Sequence, residues 1–213
     1  MATLTMKFGG TSVGSFDAFT QSAKIVLDQS RHWDRLAVVV SAMSGVTDAL
    51  SRGALTAASG DAQTYQAIHA ELQERHHSVV EALLPQGGDR EQLLSIIGRF
   101  LDEFVTLCHS VYVLGEVTPR AMDTILSLGE RMNARILASL LREQGGRSEA
   151  VDATKIVVTD DKFQNAAPLM DRTRTRVHDH LMPLLNDGII PIVTGFIGAT
   201  EEGITTTLGR GGS

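Results

Sequence analysis

Four stretches of this 213-residue chain place residues that can do chemistry next to glycines or on one face of a helix. In "MKFGGTSVGS" (6–15) Lys7 ends a strand-like run, two glycines follow, and Thr11, Ser12 and a helix start come after. Glycines let backbone N–H groups approach a ligand closely, and the amides at a helix start carry partial positive charge, so the arrangement suits a phosphate. A unit charge about 4 Å from a phosphate oxygen is worth about 4 kcal/mol at an effective dielectric of about 20, against about 1 kcal/mol net for one hydrogen bond. Lys7 would therefore dominate the electrostatics of such a loop. The stretch is neither a Walker A loop, because Ser15 stands where the lysine belongs, nor a G-x-G-x-x-G dinucleotide fingerprint. A tight structural turn satisfies the same pattern.

"VVVSAMSGVTDAL" (38–50) repeats the design: an apolar strand, a small-residue loop with Ser41 and Ser44, and a helix expected to start near Thr47. Ligands of open α/β sheets collect beyond the carboxyl ends of strands, where these hydroxyls would lie, although Thr47 can equally serve as a helix cap. In "TILSLGERMNARILASLL" (124–141) a helical wheel puts Glu130 in line with Leu126, Ala134, Leu137 and Leu141. A carboxylate on an apolar line needs a cation, which can be a substrate ammonium or the adjacent Arg131, unless it sits exposed at the edge of the line. The chain closes on "GITTTLGRGGS" (203–213), where Arg210 offers a planar fork for a carboxylate or phosphate among threonine hydroxyls and glycine amides.

The elements that must hold these residues follow from pattern. "TLTMKF" (3–8) and "RLAVVVSAM" (35–43) read as buried strands of a mainly parallel sheet, joined by a helix over about 16–28 capped by Ser15, with Phe16, Phe19, Ala23, Ile25, Val26 and Leu27 as its apolar face. Tyr65, Ile68, Leu72, Val79 and Leu83 mark one helix, a second runs from about Arg90 to Leu114, and Thr118-Pro119 opens a third that reaches about Gln144. Strands are expected again near 148–152 and in "GIIPIVTGF" (188–196), with Pro191 at a strand end or sheet edge, and "EEG" (201–203) signals a hairpin.

Composition excludes several classes. The net charge is −6, from 19 Lys and Arg against 25 Asp and Glu, with no basic run that would serve a nucleic acid. The single cysteine, Cys108, permits no intrachain disulfide and reads as a buried apolar residue. No signal-like leader and no long apolar span points to secretion or a membrane, and a reducing cytoplasm fits. The seven histidines form no metal-binding pattern.

"KFGGTSV" (7–13), "VVVSAMSGVTDAL", "SLGERMNARI" (127–136) and "GFIGATEEGITTTLGRGGS" (195–213) together resemble the aspartate kinases of the amino-acid kinase superfamily, in matching order across the chain. The resemblance implies a three-layer α/β/α sandwich with a mainly parallel sheet, incomplete at its carboxyl end. It implies transfer of the ATP γ-phosphoryl group, with Mg²⁺ as the companion of ATP, to the side-chain carboxylate of L-aspartate, the step that starts lysine, threonine and methionine synthesis. Carried over by motif position, Lys7 would meet the transferring phosphate, and Gly9, Gly10 and Ser41 would add phosphate contacts. Thr47 would help hold aspartate, Glu130 its α-ammonium and Arg210 its α-carboxylate, with Ser213 lining the same pocket. The family motif continues past G-R-G-G-S into an aspartate, a nucleotide-binding segment and ACT regulatory domains that build oligomers. Residues 1–213 are thus expected to be the aspartate-binding, amino-terminal part of a catalytic domain, with little turnover alone. Other amino-acid kinases, such as those of glutamate or acetylglutamate, a fusion with homoserine dehydrogenase, and a noncatalytic binding module are the alternatives.

Overall fold

The computed structural model describes residues 2–209. Four parallel strands make the central sheet in the order β1-β2-β4-β3, with β1 at Thr3–Phe8, β2 at Arg35–Val40, β3 at Ser148–Val151 and β4 at Ile190–Thr194. Side chains alternate across it as a pleated strand requires. Leu36, Val38 and Val40 of β2 and Ile190 and Ile192 of β4 enter one core, while Ala37 and Val193 enter a second core on the opposite face. Helices cover both faces, so the three-layer α/β/α expectation holds.

The larger core lies under α1 (Phe16–Gln29), α2 (Val46–Ala58), α3 (Ala62–Leu83), α4 (Gly88–Leu114) and α5 (Pro119–Glu143). Caps and stops fall where the sequence places them. The Ser15 hydroxyl accepts the Ala18 N–H at 3.3 Å, and the Thr118 hydroxyl accepts that of Ala121 at 3.2 Å. Pro119 occupies the first turn of α5, where its missing N–H costs nothing. Cys108 is fully buried in α4, and burial pushes its thiol up to about 12, as an inert core residue should behave. The thinner layer on the other face contains α6 (Met170–His180) and α7 (Met182–Asn186). Two short antiparallel strands, β5 (Ile197–Ala199) and β6 (Thr205–Thr207), form the expected hairpin, closed by a Thr200–Gly203 turn.

Several expectations need correction. β1 is not a buried strand: it pairs only with β2 among the described residues, and its side chains alternate between exposed and half-buried until Phe8. Of the two places expected for Pro191, the strand end holds, as it is the second residue of β4, and the sheet edge does not, because β4 runs between β2 and β3. Pro191 is tolerated at the start of that interior strand, since pairing with β2 begins only at Ile192 and no donor is needed from residue 191. Phe16 is 44% exposed rather than part of the apolar face of α1, which is carried by Phe19, Ala23 and Val26. In α3 the fully buried residue is Val80 rather than Val79, with His76 sharing the core face.

Candidate functional site

Parallel pairing sets the site. Lys7 lies opposite Val39 and Phe8 opposite Val40, so β1 and β2 leave the sheet side by side at their carboxyl ends. The glycine loop of residues 9–15 and the serine loop of residues 41–45 are therefore neighbours. They are stitched together by the Ser41 N–H donating to Phe8 O at 3.1 Å and the Ser44 N–H donating to Gly10 O at 3.2 Å. A Cβ on Gly10 would lie 2.8 Å from Ala42 O, so only glycine lets the loops touch; one on Gly9 would meet nothing within 4 Å, so that residue opens onto free space. Lys7 is exposed at the end of β1.

The two helix starts differ. The Ser15 side chain already uses a first-turn amide of α1, whereas α2 is preceded by Gly45, in the left-handed region at φ 81°, with no side-chain cap. One first-turn amide of α2 is taken as well, the Val46 N–H donating to Met43 O at 3.0 Å, but no side chain covers this helix start, which leaves it open to an anion. Thr47 is not the cap of α2 but its second residue, half-buried, so the capping reading of that hydroxyl is withdrawn.

Beneath both loops runs α5. Glu130 is only 2% exposed, which eliminates the alternative of a carboxylate at an exposed edge. Its Oε1 accepts the Ala42 N–H at 3.2 Å, while Oε2 is buried with no hydrogen-bond partner among the described residues. Arg131 does not satisfy it: that guanidinium donates instead to the Thr205 hydroxyl at 3.3 Å. Desolvation raises the Glu130 carboxyl from about 4.5 to about 7, and the Ala42 N–H only partly opposes it. A buried carboxyl with one unfilled oxygen, next to two loops that expose glycine, hydroxyls and a lysine, is chemically suited to a cation beside an anion.

Sequence reasoning missed two residues that hold this arrangement. Asn133, one turn beyond Glu130, donates from Nδ2 to Ser41 O at 2.6 Å and Val13 O at 3.4 Å, fastening both loops to α5. Its place three residues after Glu130 on a buried face was a readable signal. Arg75 of α3 donates to Gly14 O at 3.4 Å and lies near Gly45; nothing in its polar "ERHH" setting marks that reach. Lys7, Gly9, Gly10, Ser41, Thr47 and Glu130 are thus placed on or around the two adjoining loops and α5. Arg210 and Ser213 lie outside the described residues.

Gly129 permits the close approach of α5, because a Cβ there would lie 2.8 Å from Ala42 Cβ and 3.3 Å from Val46 Cγ1. Alanine is favoured over glycine in a helix by about 1 kcal/mol, yet overpacking costs about 1–3 kcal/mol. Gly129→Ala is therefore expected to lower the melting temperature by a few degrees, read by thermal unfolding; an increase would contradict the packing account.

Residues 3–213 match the profile of the amino acid kinase family. The chain belongs to the amino acid kinase family. Within the family it is similar to the lysine-sensitive aspartokinase 3 of Escherichia coli, at 34% identity over 97% of this chain and 43% of that protein. It is also similar to an aspartokinase of Chlamydia muridarum, at 29% identity over 100% of this chain and 43% of that protein. The crystal structure of E. coli aspartokinase III in complex with aspartate and ADP superposes with a TM-score of 0.86 at 32% identity, covering 100% of this chain and 44% of that one. The complex of the same enzyme with lysine and aspartate gives 0.85 at 31% identity. The chain spans less than half the length of these relatives. In this family member the loops after β1 and β2 adjoin each other and the buried face of α5.

Proposed function

We propose that this chain is the aspartate-binding, amino-terminal part of an aspartate kinase catalytic domain. In the whole protein it would act in transfer of the ATP γ-phosphoryl group to the L-aspartate side chain, giving 4-phospho-L-aspartate. The observation that carries the reading is Glu130: a carboxylate buried behind the two loops, with one oxygen unfilled, suits a substrate ammonium within reach of a phosphate-binding surface. The similarity to a structure holding aspartate and ADP supports the same choice.

In this reading Lys7 neutralises charge on the phosphoryl group, and the amides of Gly9 and Gly10 with the Ser41 hydroxyl hold phosphate oxygens. The open space over Gly9 and the uncapped start of α2 fit such a group. Thr47 orients aspartate, Glu130 binds its α-ammonium, and Arg210 and Ser213 hold its α-carboxylate side. Mg²⁺ enters with ATP and supplies charge neutralisation between the phosphates; no residue of this chain is assigned to it. Catalysis is then positioning and electrostatics, as for phosphoryl transfer in general. The nucleotide-binding remainder and ACT domains that assemble oligomers belong to the rest of the protein, and the pathway served is that of lysine, threonine and methionine in the cytoplasm. No helix among the described residues is long and apolar enough to cross a membrane.

An assay of ADP release by the full-length protein with L-aspartate, L-glutamate and N-acetyl-L-glutamate tests the assignment. Turnover is expected with L-aspartate alone. Acetylglutamate carries no ammonium for Glu130, so a preference for it would overturn the reading.

A further inference from the structure

α5 carries a second buried carboxylate, Asp123, which is fully inaccessible to solvent. It lies seven residues before Glu130, hence on the same face of the helix and about 10.5 Å away along the axis. Four hydrogen bonds converge on it. The Gln164 N–H donates to Oδ2 at 2.9 Å and Oδ1 at 3.1 Å, the Thr207 N–H to Oδ2 at 3.0 Å, and the Thr207 hydroxyl to Oδ1 at 2.7 Å. Gln164 adopts a left-handed backbone, φ 67°, unusual for a non-glycine residue. No ion pair reaches Asp123 among the described residues, so its charge is met by these donors.

The groups it joins belong to separate parts of the chain. Thr207 ends β6, and Gln164 lies in the loop before α6. That loop is itself tied to β6 by the Ala166 N–H donating to Thr207 O at 2.9 Å and by a 2.7 Å bond between the Thr159 and Thr206 hydroxyls. Gly209, at φ 73°, runs so close to the loop that a Cβ there would lie 2.6 Å from Asn165 Oδ1. β6 is therefore held through Asp123, and Arg210 follows Thr207 by three residues.

We infer that Asp123 is a positioning residue that fixes the end of β6, three residues before Arg210 in the sequence, to the helix that carries Glu130. The proposal rests on the aspartate reading above. α5 then bears on both anchors of one amino-acid substrate: it presents Glu130 directly and, through Asp123, holds Thr207, from which the chain runs on to Arg210. A chain that had lost this bond would keep its phosphate loops, which hang from Glu130 and Asn133, but would lose the register between the ammonium and carboxylate contacts. The effect falls on aspartate rather than on the nucleotide.

In the full-length protein, Asp123→Asn keeps the side-chain shape but turns an NH₂ group towards N–H donors. It is expected to raise the aspartate KM about 10- to 100-fold, leave the ATP KM within about 2-fold, and speed hydrogen exchange at the Gln164 and Thr207 amides. Thr207→Val removes only the hydroxyl and keeps the carboxylate paired with backbone, so it should fold and raise the aspartate KM by a smaller factor, about 3- to 10-fold. Active protein in which both variants leave the aspartate KM unchanged overturns the positioning role alone. Equal loss in the ATP and aspartate KM overturns it too, because general loosening would then explain the defect. Wild-type protein that phosphorylates no aspartate overturns the underlying reading as well, and is told apart by that first measurement.

Discussion

Glu130→Gln is expected to stabilise the ligand-free protein at pH 8 while weakening aspartate binding about 10²- to 10³-fold. Both effects follow from one carboxyl. Its folded-state value is raised from about 4.5 to about 7 by burial, so between those pH values the folded state holds a proton that the unfolded state has released. The contribution of this group to stability is present below about pH 4.5, falls as pH rises towards 7, and stays lost above it. With about 1.4 kcal/mol per pKa unit, the ionised buried carboxylate costs about 3 kcal/mol at pH 8. Glutamine keeps an oxygen for the Ala42 N–H without the charge. Its melting temperature should exceed that of wild type at pH 8 and match it at pH 4.5. Bound substrate reverses the sign, because an ammonium held by a desolvated carboxylate loses its partner in the variant, and breaking a buried pair typically costs about 3–5 kcal/mol. The same titration predicts that wild-type aspartate affinity falls about tenfold per pH unit below pH 7 and levels off above it. A variant no more stable at pH 8, with unchanged aspartate affinity, would remove Glu130 from the site.

Lys7→Ala in the full-length protein should lower kcat about 10²- to 10³-fold and change the aspartate KM by no more than a few-fold. A single preorganised donor facing charge that develops in the transition state is worth about 3–4 kcal/mol, and a lysine at the end of β1 brings a full charge. The loop itself should survive. Its shape comes from Gly10 against Ala42, from the Ser44 N–H on Gly10 O and from Asn133 on Val13 O, none of which involves the lysine side chain. Steady-state kinetics with saturating ATP separates the outcomes: a raised aspartate KM with unchanged kcat would move Lys7 from the phosphoryl group to the amino-acid substrate.

Much of this architecture is legible in the sequence because it rests on short-range rules. Ser15 and Thr118-Pro119 mark helix starts through local hydrogen bonding and a fixed φ, and the apolar line around Glu130 marks a buried face through the helical period. What escapes is decided by partners far along the chain. Asp123 sits among "RAMDTIL" with nothing to show that residues 164 and 207 will fold onto it. Arg75 looks like any solvated helix arginine until the first loop arrives beneath it. The exposure of β1 and the interior place of Pro191 follow from strand order, which no local pattern encodes. The capping alternative for Thr47 fails because Gly45, with a positive φ, is the residue before α2 and Thr47 falls inside the helix.

The central claim, that Glu130 receives the substrate ammonium, is tested most directly by calorimetric titration of the full-length wild type and Glu130→Gln with L-aspartate and with succinate, which has the two carboxylates but no ammonium. The account predicts that wild type prefers aspartate by about 10²-fold or more and that Glu130→Gln binds the two within a few-fold of each other. A variant that kept the wild-type preference for aspartate would contradict it.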